Sequence, residues 1–314
     1  MRKNVDLSVL LRGKRCATFT PCDKSSTRLT LPQEREYIVE KHFYTPTEVI
    51  EINMKGSEGK ANLPFGKMVL LGILAGMFIA LGGAASNTAV HAIENAGLAR
   101  TLAGAIFPVG LMMIVFVGGE LFTGNCLMVM DVFAKRITLA KMLRNLAVVY
   151  FSNLIGALFV DILMFYSGNL NYSDGLLGAY TIKVALCKTD IAPVQAVTSG
   201  ILCNVLVCVA ILMATAARDI AAKALAIFFP IWAFVIGGFE HCVANMFYIP
   251  LGILAAKNPY YAHKAQEVYN ITSEQIYNLD VLHSFGNFIP VTIGNILGGM
   301  VVVGGLCYFI YKKS

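Results

Sequence analysis

The segment Gly237-Gly238-Phe239-Glu240-His241 sets a glutamate and a histidine, with Asn245 just beyond, inside an apolar run that extends from Ile220 to Ala256. Ionisable groups at bilayer depth are costly and mark function. Residues 220–236 and 247–256 are each shorter than the about 20 residues a helix needs to cross a hydrocarbon core, so they read as one broken span. A break at that depth is tolerated only where the freed backbone groups are buried in protein or line a watery cavity. The sequence thus predicts a helix break that lines a path.

The pattern occurs twice. Gly118-Gly119-Glu120 is followed by Asn125 as Gly238-Phe239-Glu240 is followed by Asn245, at an offset of 120 residues between the two glutamates. Gly72-Ile73-Leu74 returns as Gly200-Ile201-Leu202, and Asn153-Leu154-Ile155-Gly156 resembles Asn295-Ile296-Leu297-Gly298, in the same order. The chain reads as a duplicated half.

At 57% apolar and 14% charged residues over 314 positions, with a mean hydropathy of +0.66, the composition is that of an integral membrane protein. Six spans are predicted at 67–92, 101–134 (broken near Gly118), 138–167, 191–217, 220–256 (broken near Gly237) and 284–311. Three spans per repeat is an odd number, so the halves insert with opposite orientation, an inverted 3+3 repeat. Lys and Arg number twelve in residues 1–67 and eight in the other segments of that side, against five (Arg100, Lys183, Lys188, Lys257, Lys264) on the opposite side. Both termini are therefore expected in the cytoplasm, the membrane being the plasma (inner) membrane. The net charge of +6 needs no nucleic acid to explain it, because the excess faces lipid headgroups.

Residues 1–44 are expected to form a basic, disordered tail without the apolar core of a secretory signal, an organelle transit peptide or an over-long start being the alternatives; residues 45–314 form the channel domain. Thr45-Pro46-Thr47-Glu48 starts a short surface helix through about Lys55, with Val49, Ile50 and Met54 on one face. The first span is dense in Gly and Ala, which lets helices approach closely. Lys183 and Lys188 are placed in the loop between the third and fourth spans, and residues 257–283 in a loop carrying an Asn270-Ile271-Thr272 sequon read as chance. The eight cysteines suggest packing rather than metal or disulfides, and Asp161 is given no site role.

Three motifs carry a resemblance to a known family: Gly118 to Asn125 in the second span, Gly238 to Phe247 in the fifth, and Ile289 to Gly299 in the sixth. In order, over residues 45–314, they resemble the formate/nitrite transporter family. The resemblance implies an aquaporin-like six-helix protomer, a homopentamer, and a separate anion pathway in each subunit. It places His241 at the centre of the pore, Thr123 and Asn204 as its hydrogen-bonding neighbours, and Lys188 at the outer mouth. It sets Phe107, Leu111, Val207 and Phe234 at constrictions on either side of the histidine. Glu120 and Glu240, with Asn125 and Asn245, are expected to tie the broken backbone down.

A bare anion entering hydrocarbon faces a Born penalty of tens of kcal/mol, and a neutral weak acid only a few. Protonating an acid of pKa about 4 near pH 7 costs roughly 4 kcal/mol. Histidine, with an unperturbed pKa of about 6.5, suits that task, while apolar rings on both sides exclude free ions. The leading expectation is passage of a small monovalent anion or its acid, formate first, with nitrite, hydrosulfide and lactate as alternatives. An uncharged-solute channel of aquaporin type would carry Asn-Pro-Ala motifs at its breaks, and the sequence has none. A haem or metal redox enzyme would need a second ligand at the depth of His241, and His42, His91, His263 and His283 fall in the tail, loops or a span end. Neither an enzymatic activity nor a cofactor is expected.

Overall fold

In a computed structural model of the chain, residues 43–311 are described; the predicted tail, apart from Phe43 and Tyr44, lies outside them, as do Cys16 and Cys22. The described chain is helical, with one isolated bridge between Phe43 and Ala217. Helix α1 (Pro46–Ala61) is followed by α2 (Phe65–Val90), α3 (Ala96–Ile106), α4 (Val109–Val117) and α5 (Phe122–Phe133). After α6 (Leu139–Tyr166) come α7 (Leu176–Thr189), α8 (Pro193–Ala216), α9 (Ile220–Ile236) and α10 (Cys242–Ala256). Two short helices, α11 (Pro259–Tyr269) and α12 (Ser273–Asn278), precede α13 (Val281–Tyr311), which is π-helical over Leu297–Gly305.

Helices α2, α6, α8 and α13, and α3 with α4 as one kinked unit, are long and apolar enough to cross a membrane. Helices α5, α9 and α10 are shorter apolar pieces. The expected breaks fall where two glycines take left-handed backbone: Gly118 (φ +104°) ends α4, and Gly238 (φ +67°) follows α9. Side chains other than glycine pay steric strain there.

One sequence expectation is corrected on the α1 side. Helix α1 runs to Ala61 instead of stopping near Lys55, and Glu48 accepts hydrogen bonds from both the Thr45 backbone N–H (2.8 Å) and its hydroxyl (2.7 Å). The expected face is the one that packs inward: Val49, Ile50 and Met54 are buried, Ile50 and Met54 with Leu127, Met130, Cys208 and Val303, while Thr47, Ile52, Lys55 and Gly59 stay exposed. The supposed loop carrying Lys183 and Lys188 is helix α7, and the loop over 257–283 holds α11 and α12. Both were illegible because these helices mix polar and apolar residues over lengths too short to span. In α11, Asn270 of the sequon takes the left-handed position that closes the helix (φ 55°), a place where Asn is next to Gly in preference.

Helix α2 packs along α6, and α8 along α13, through glycines that leave no room for a side chain. A Cβ on Gly76 would run into the Asn153 carbonyl, and one on Gly294 into that of Val197. Without a hydrophobic force between helices in lipid, such close backbone contact is what dispersion and weak polar interactions need. The same crossings deliver two buried asparagines to the breaks. Asn153 Oδ1 accepts from the Phe122 N–H (3.0 Å), and its amide donates to the carbonyls of Gly72 (2.8 Å) and Glu120 (2.9 Å). Asn295 does the same in the second half, accepting from Cys242 N–H (2.9 Å) and donating to Gly200 (2.8 Å) and Glu240 (2.9 Å).

Asp161, late in α6, is fully buried with both carboxylate oxygens unpartnered among the described residues. It lines an apolar groove of about 860 Å³ between α6, α10 and α13 that Lys257 also borders.

Replacing Asn295 by alanine removes all three of its bonds and strands the Cys242 N–H, a loss of about 1–3 kcal/mol per orphaned group. Asn295→Ala is expected to melt several degrees below wild type in detergent, measured by fluorescence-detected size exclusion after heating. An unchanged midpoint would show that the break does not depend on this side chain.

Candidate functional site

The two breaks bring Thr123, near the start of α5, against His241, which caps the start of α10. His241 Nδ1 accepts the Ala244 backbone N–H (3.0 Å), and Nε2 lies 2.9 Å from the Thr123 hydroxyl. A neutral imidazole carries one proton, so the bond at Nδ1 assigns it to Nε2, which donates to Thr123 Oγ1. The Thr123 hydroxyl hydrogen is then free for another acceptor. Asn204 sits one step away and does not touch the ring. Its amide donates to the Thr123 carbonyl (3.2 Å) and the Asn295 carbonyl (2.6 Å). Gly299, in the π-helical stretch, packs directly on that amide.

A cavity of about 240 Å³ runs from the α7 side down to His241, bordered by Lys188, Arg100, Asn87, Phe107 and Phe234 among others. Phe107 and Phe234 stand edge to face at 5.5 Å between ring centroids, and Phe234 is 6.1 Å from the imidazole. Leu111 and Val207 are buried but do not border this cavity, so of the four expected constriction residues the structure groups two.

Lys188 lies in the last turn of α7, with Nζ 3.0 and 3.2 Å from the two Glu240 oxygens and 5.3 Å from the Tyr248 ring centroid. Glu240 also accepts from Asn245 (2.6 Å) and Asn287 (3.3 Å), and Asn287 donates to the Lys188 carbonyl (2.8 Å). An equivalent cluster stands at the other break. Asn125 donates to Glu120 (2.6 Å) and Asn145 (2.8 Å), Asn145 donates to the Lys60 carbonyl (3.3 Å), and Lys60 Nζ reaches Asn125 (2.7 Å) and Glu120 (3.5 Å). The glutamates and asparagines picked from sequence thus bond to side chains of neighbouring helices.

Sequence reasoning missed Lys60, Asn145 and Asn287, along with Arg100 and Asn87 on the cavity wall. The repeat held a signal for three of them: the offset of 142 that relates Asn153 to Asn295 also relates Asn145 to Asn287. The offset of 128 that relates Gly72 to Gly200 also relates Lys60 to Lys188. Lys60 was instead counted among the basic residues of the N-terminal region. Among the described residues no group of three or more His, Cys, Asp or Glu could hold a metal ion.

Comparison with known proteins identifies the family. The sequence profile of the family described as formate/nitrite transporter matches residues 47–309. A probable formate transporter of Methanothermobacter thermautotrophicus is 35% identical over 290 residues, covering 87% of this chain and 98% of its own. The formate channel FocA of Haemophilus influenzae is 36% identical over 271 residues, covering 85% and 95%. Among solved structures, a pentameric formate channel with formate bound superposes with a TM-score of 0.69 at 32% identity, covering 79% of this chain and 98% of that one. An ion channel of the same family gives a TM-score of 0.71 at 27% identity, covering 84% and 98%. The relatives are named channels or transporters, and the chain is a multi-pass membrane protein that belongs to the formate/nitrite transporter family.

Proposed function

We propose that the protein passes a small monovalent anion, formate first, across a membrane as its neutral acid, through a pathway in each protomer of a pentamer. His241 assists the protonation. The observation that carries this reading is the His241–Thr123 pair, buried at the meeting of two breaks and reached from a cavity closed over by Phe107 and Phe234. The relatives named formate channels and the pentameric neighbour with formate bound support both substrate and assembly. The Lys and Arg bias supports a cytoplasmic α1 side and an outer α7 side, with the halves inverted, in what we take to be the plasma (inner) membrane. No chemical conversion and no cofactor enter the reading.

An anion that loses water among the aromatic rings loses its main source of stabilisation. Gaining a proton removes the charge and lets the molecule continue. The Thr123 hydroxyl, whose oxygen already accepts from His241, offers its hydrogen to an oxygen of the passing molecule. A neutral imidazole has no proton to give away readily. For His241 to supply one, it first takes a proton on Nδ1, and that proton displaces the Ala244 N–H. Proton donation by His241 is therefore coupled to loss of that capping bond.

His241→Asn keeps a good N-cap acceptor for Ala244 and removes the imidazole beside Thr123. Uptake of labelled formate into liposomes from about pH 5 to 8 is expected to change in rate and pH profile together. Coincident profiles in two equally assembled proteins would exclude the histidine's proton from the mechanism. Extending the wild-type panel to nitrite, hydrosulfide and lactate ranks the substrates.

Lys188→Ala leaves Glu240 as an uncompensated buried carboxylate beside the path. Anion uptake is expected to fall by about tenfold at low salt and by less as salt screens the charge. Because the loss comes from the unpaired acid, Lys188→Ala with Glu240→Gln should recover much of it. A double variant as slow as the single one would assign the effect to the lysine's own charge.

A further inference from the structure

Charges around the α7-side cavity are unequally matched. Lys188 is 3.0 Å from Glu240, so its charge is answered locally. Arg100, exposed in α3 and bordering the same cavity, has no carboxylate partner among the described residues. Its guanidinium makes a long contact of 3.5 Å from Nη1 to the Ile236 carbonyl at the end of α9. A Cβ at Gly238 would stand 3.0 Å from Nη1, so the guanidinium lies against the glycine of the break. Asn87, near the end of α2, borders the cavity as well. It is buried, 8% exposed, and its Nδ2 has no hydrogen-bond partner among the described residues. A buried donor left without an acceptor is costly. Its place on the wall of a cavity with an unmatched cation points to a ligand that brings acceptors.

We propose that Arg100 and Asn87 form an anion-recruiting subsite at the α7-side mouth, which takes a small planar oxyanion of the carboxylate class in its charged form, ahead of the Phe107–Phe234 pair. The inference deepens the transport reading and rests on it. A guanidinium presents donors in a flat fork that matches the two oxygens of a carboxylate, and the Asn87 amide supplies a further donor. Of the two cations at this mouth, Lys188 serves Glu240, and Arg100 carries the net positive potential that draws anions in. Once protonated, the molecule has lost the charge that held it there and moves on between the rings.

The test joins flux and binding. Initial uptake of labelled formate, far below saturation and at low ionic strength, is expected to be about three- to tenfold slower in Arg100→Gln, with the difference shrinking toward 1 M salt. Arg100→Lys should regain most of the low-salt rate. Asn87→Leu should raise the half-saturating concentration without altering the salt dependence. In parallel, sodium formate is compared with sodium chloride at equal ionic strength for its effect on the melting of purified pentamer. Formate should stabilise wild type, and Arg100→Gln less or not at all. Uptake by Arg100→Gln equal to wild type in rate and salt dependence overturns the subsite and leaves the transport reading intact. Stabilisation of wild type alone, with no wild-type uptake, upholds the subsite and overturns the transport reading. If Arg100→Gln does not assemble, Asn87→Leu decides, and an unchanged half-saturating concentration there overturns the proposal.

Discussion

Backbone that leaves a helix inside a bilayer has no water to bond to, and everything around the two breaks follows from meeting that demand. The N–H groups of Phe122 and Cys242 and the carbonyls of Glu120 and Glu240 are met by Asn153 and Asn295. Those amides reach the breaks only because α6 lies on α2, and α13 on α8, at glycine-to-backbone distance. Close packing of small residues here is what allows polar side chains to cross between layers. The glutamates then add a second fastening. Each takes an amide from the asparagine five residues on and a lysine from a short flanking helix, so α1 and α7 are drawn into the membrane unit as struts.

This construction separates holding from handling. The carboxylates nearest the path are saturated with donors and offer little to a passing molecule. Around the His241 imidazole stand the Thr123 hydroxyl and the Phe234 ring, with Phe107 edge to face on Phe234. A pore with few unmatched charges at its narrowest part suits a species that is neutral there, and the asymmetry between Arg100 and Lys188 at the mouth suits one that is charged when it arrives.

Much of this was legible in the sequence. The breaks declare themselves because glycine pairs and acids interrupt apolar runs, and the duplicated spacing made Glu120, Asn125, Glu240 and Asn245 stand out as equivalent. His241 and Thr123 were placed by motif, and the fold puts them in contact. Helix α7 was not legible, because Lys183, Lys188 and Thr189 give its 14 residues the look of a solvated connection. The π-helical stretch Leu297–Gly305 was read as plain helix, since four glycines in an apolar run signal close packing and say nothing of hydrogen-bond register. Arg100 and Asn87 carry no pattern of their own. Their meaning comes from sharing one cavity, which only tertiary structure creates. Leu111 and Val207 were assigned by resemblance, and their burial does not distinguish a pore wall from ordinary packing.

Thr123 is the second residue of α5 and His241 the cap of α10, and their side chains are 2.9 Å apart. Two helices therefore begin at one point, coming to it from different halves of the chain. The start of a helix carries about half a positive elementary charge from its aligned peptide units, so the centre of the pathway sits in a positive field generated by main chain. That field does not titrate, and no side-chain substitution deletes it. In the proposed pathway a molecule at the histidine meets an environment that favours electron-rich oxygen, a carbonyl oxygen of the neutral acid included, whatever the protonation state of the ring, and that preference follows from where the helices start.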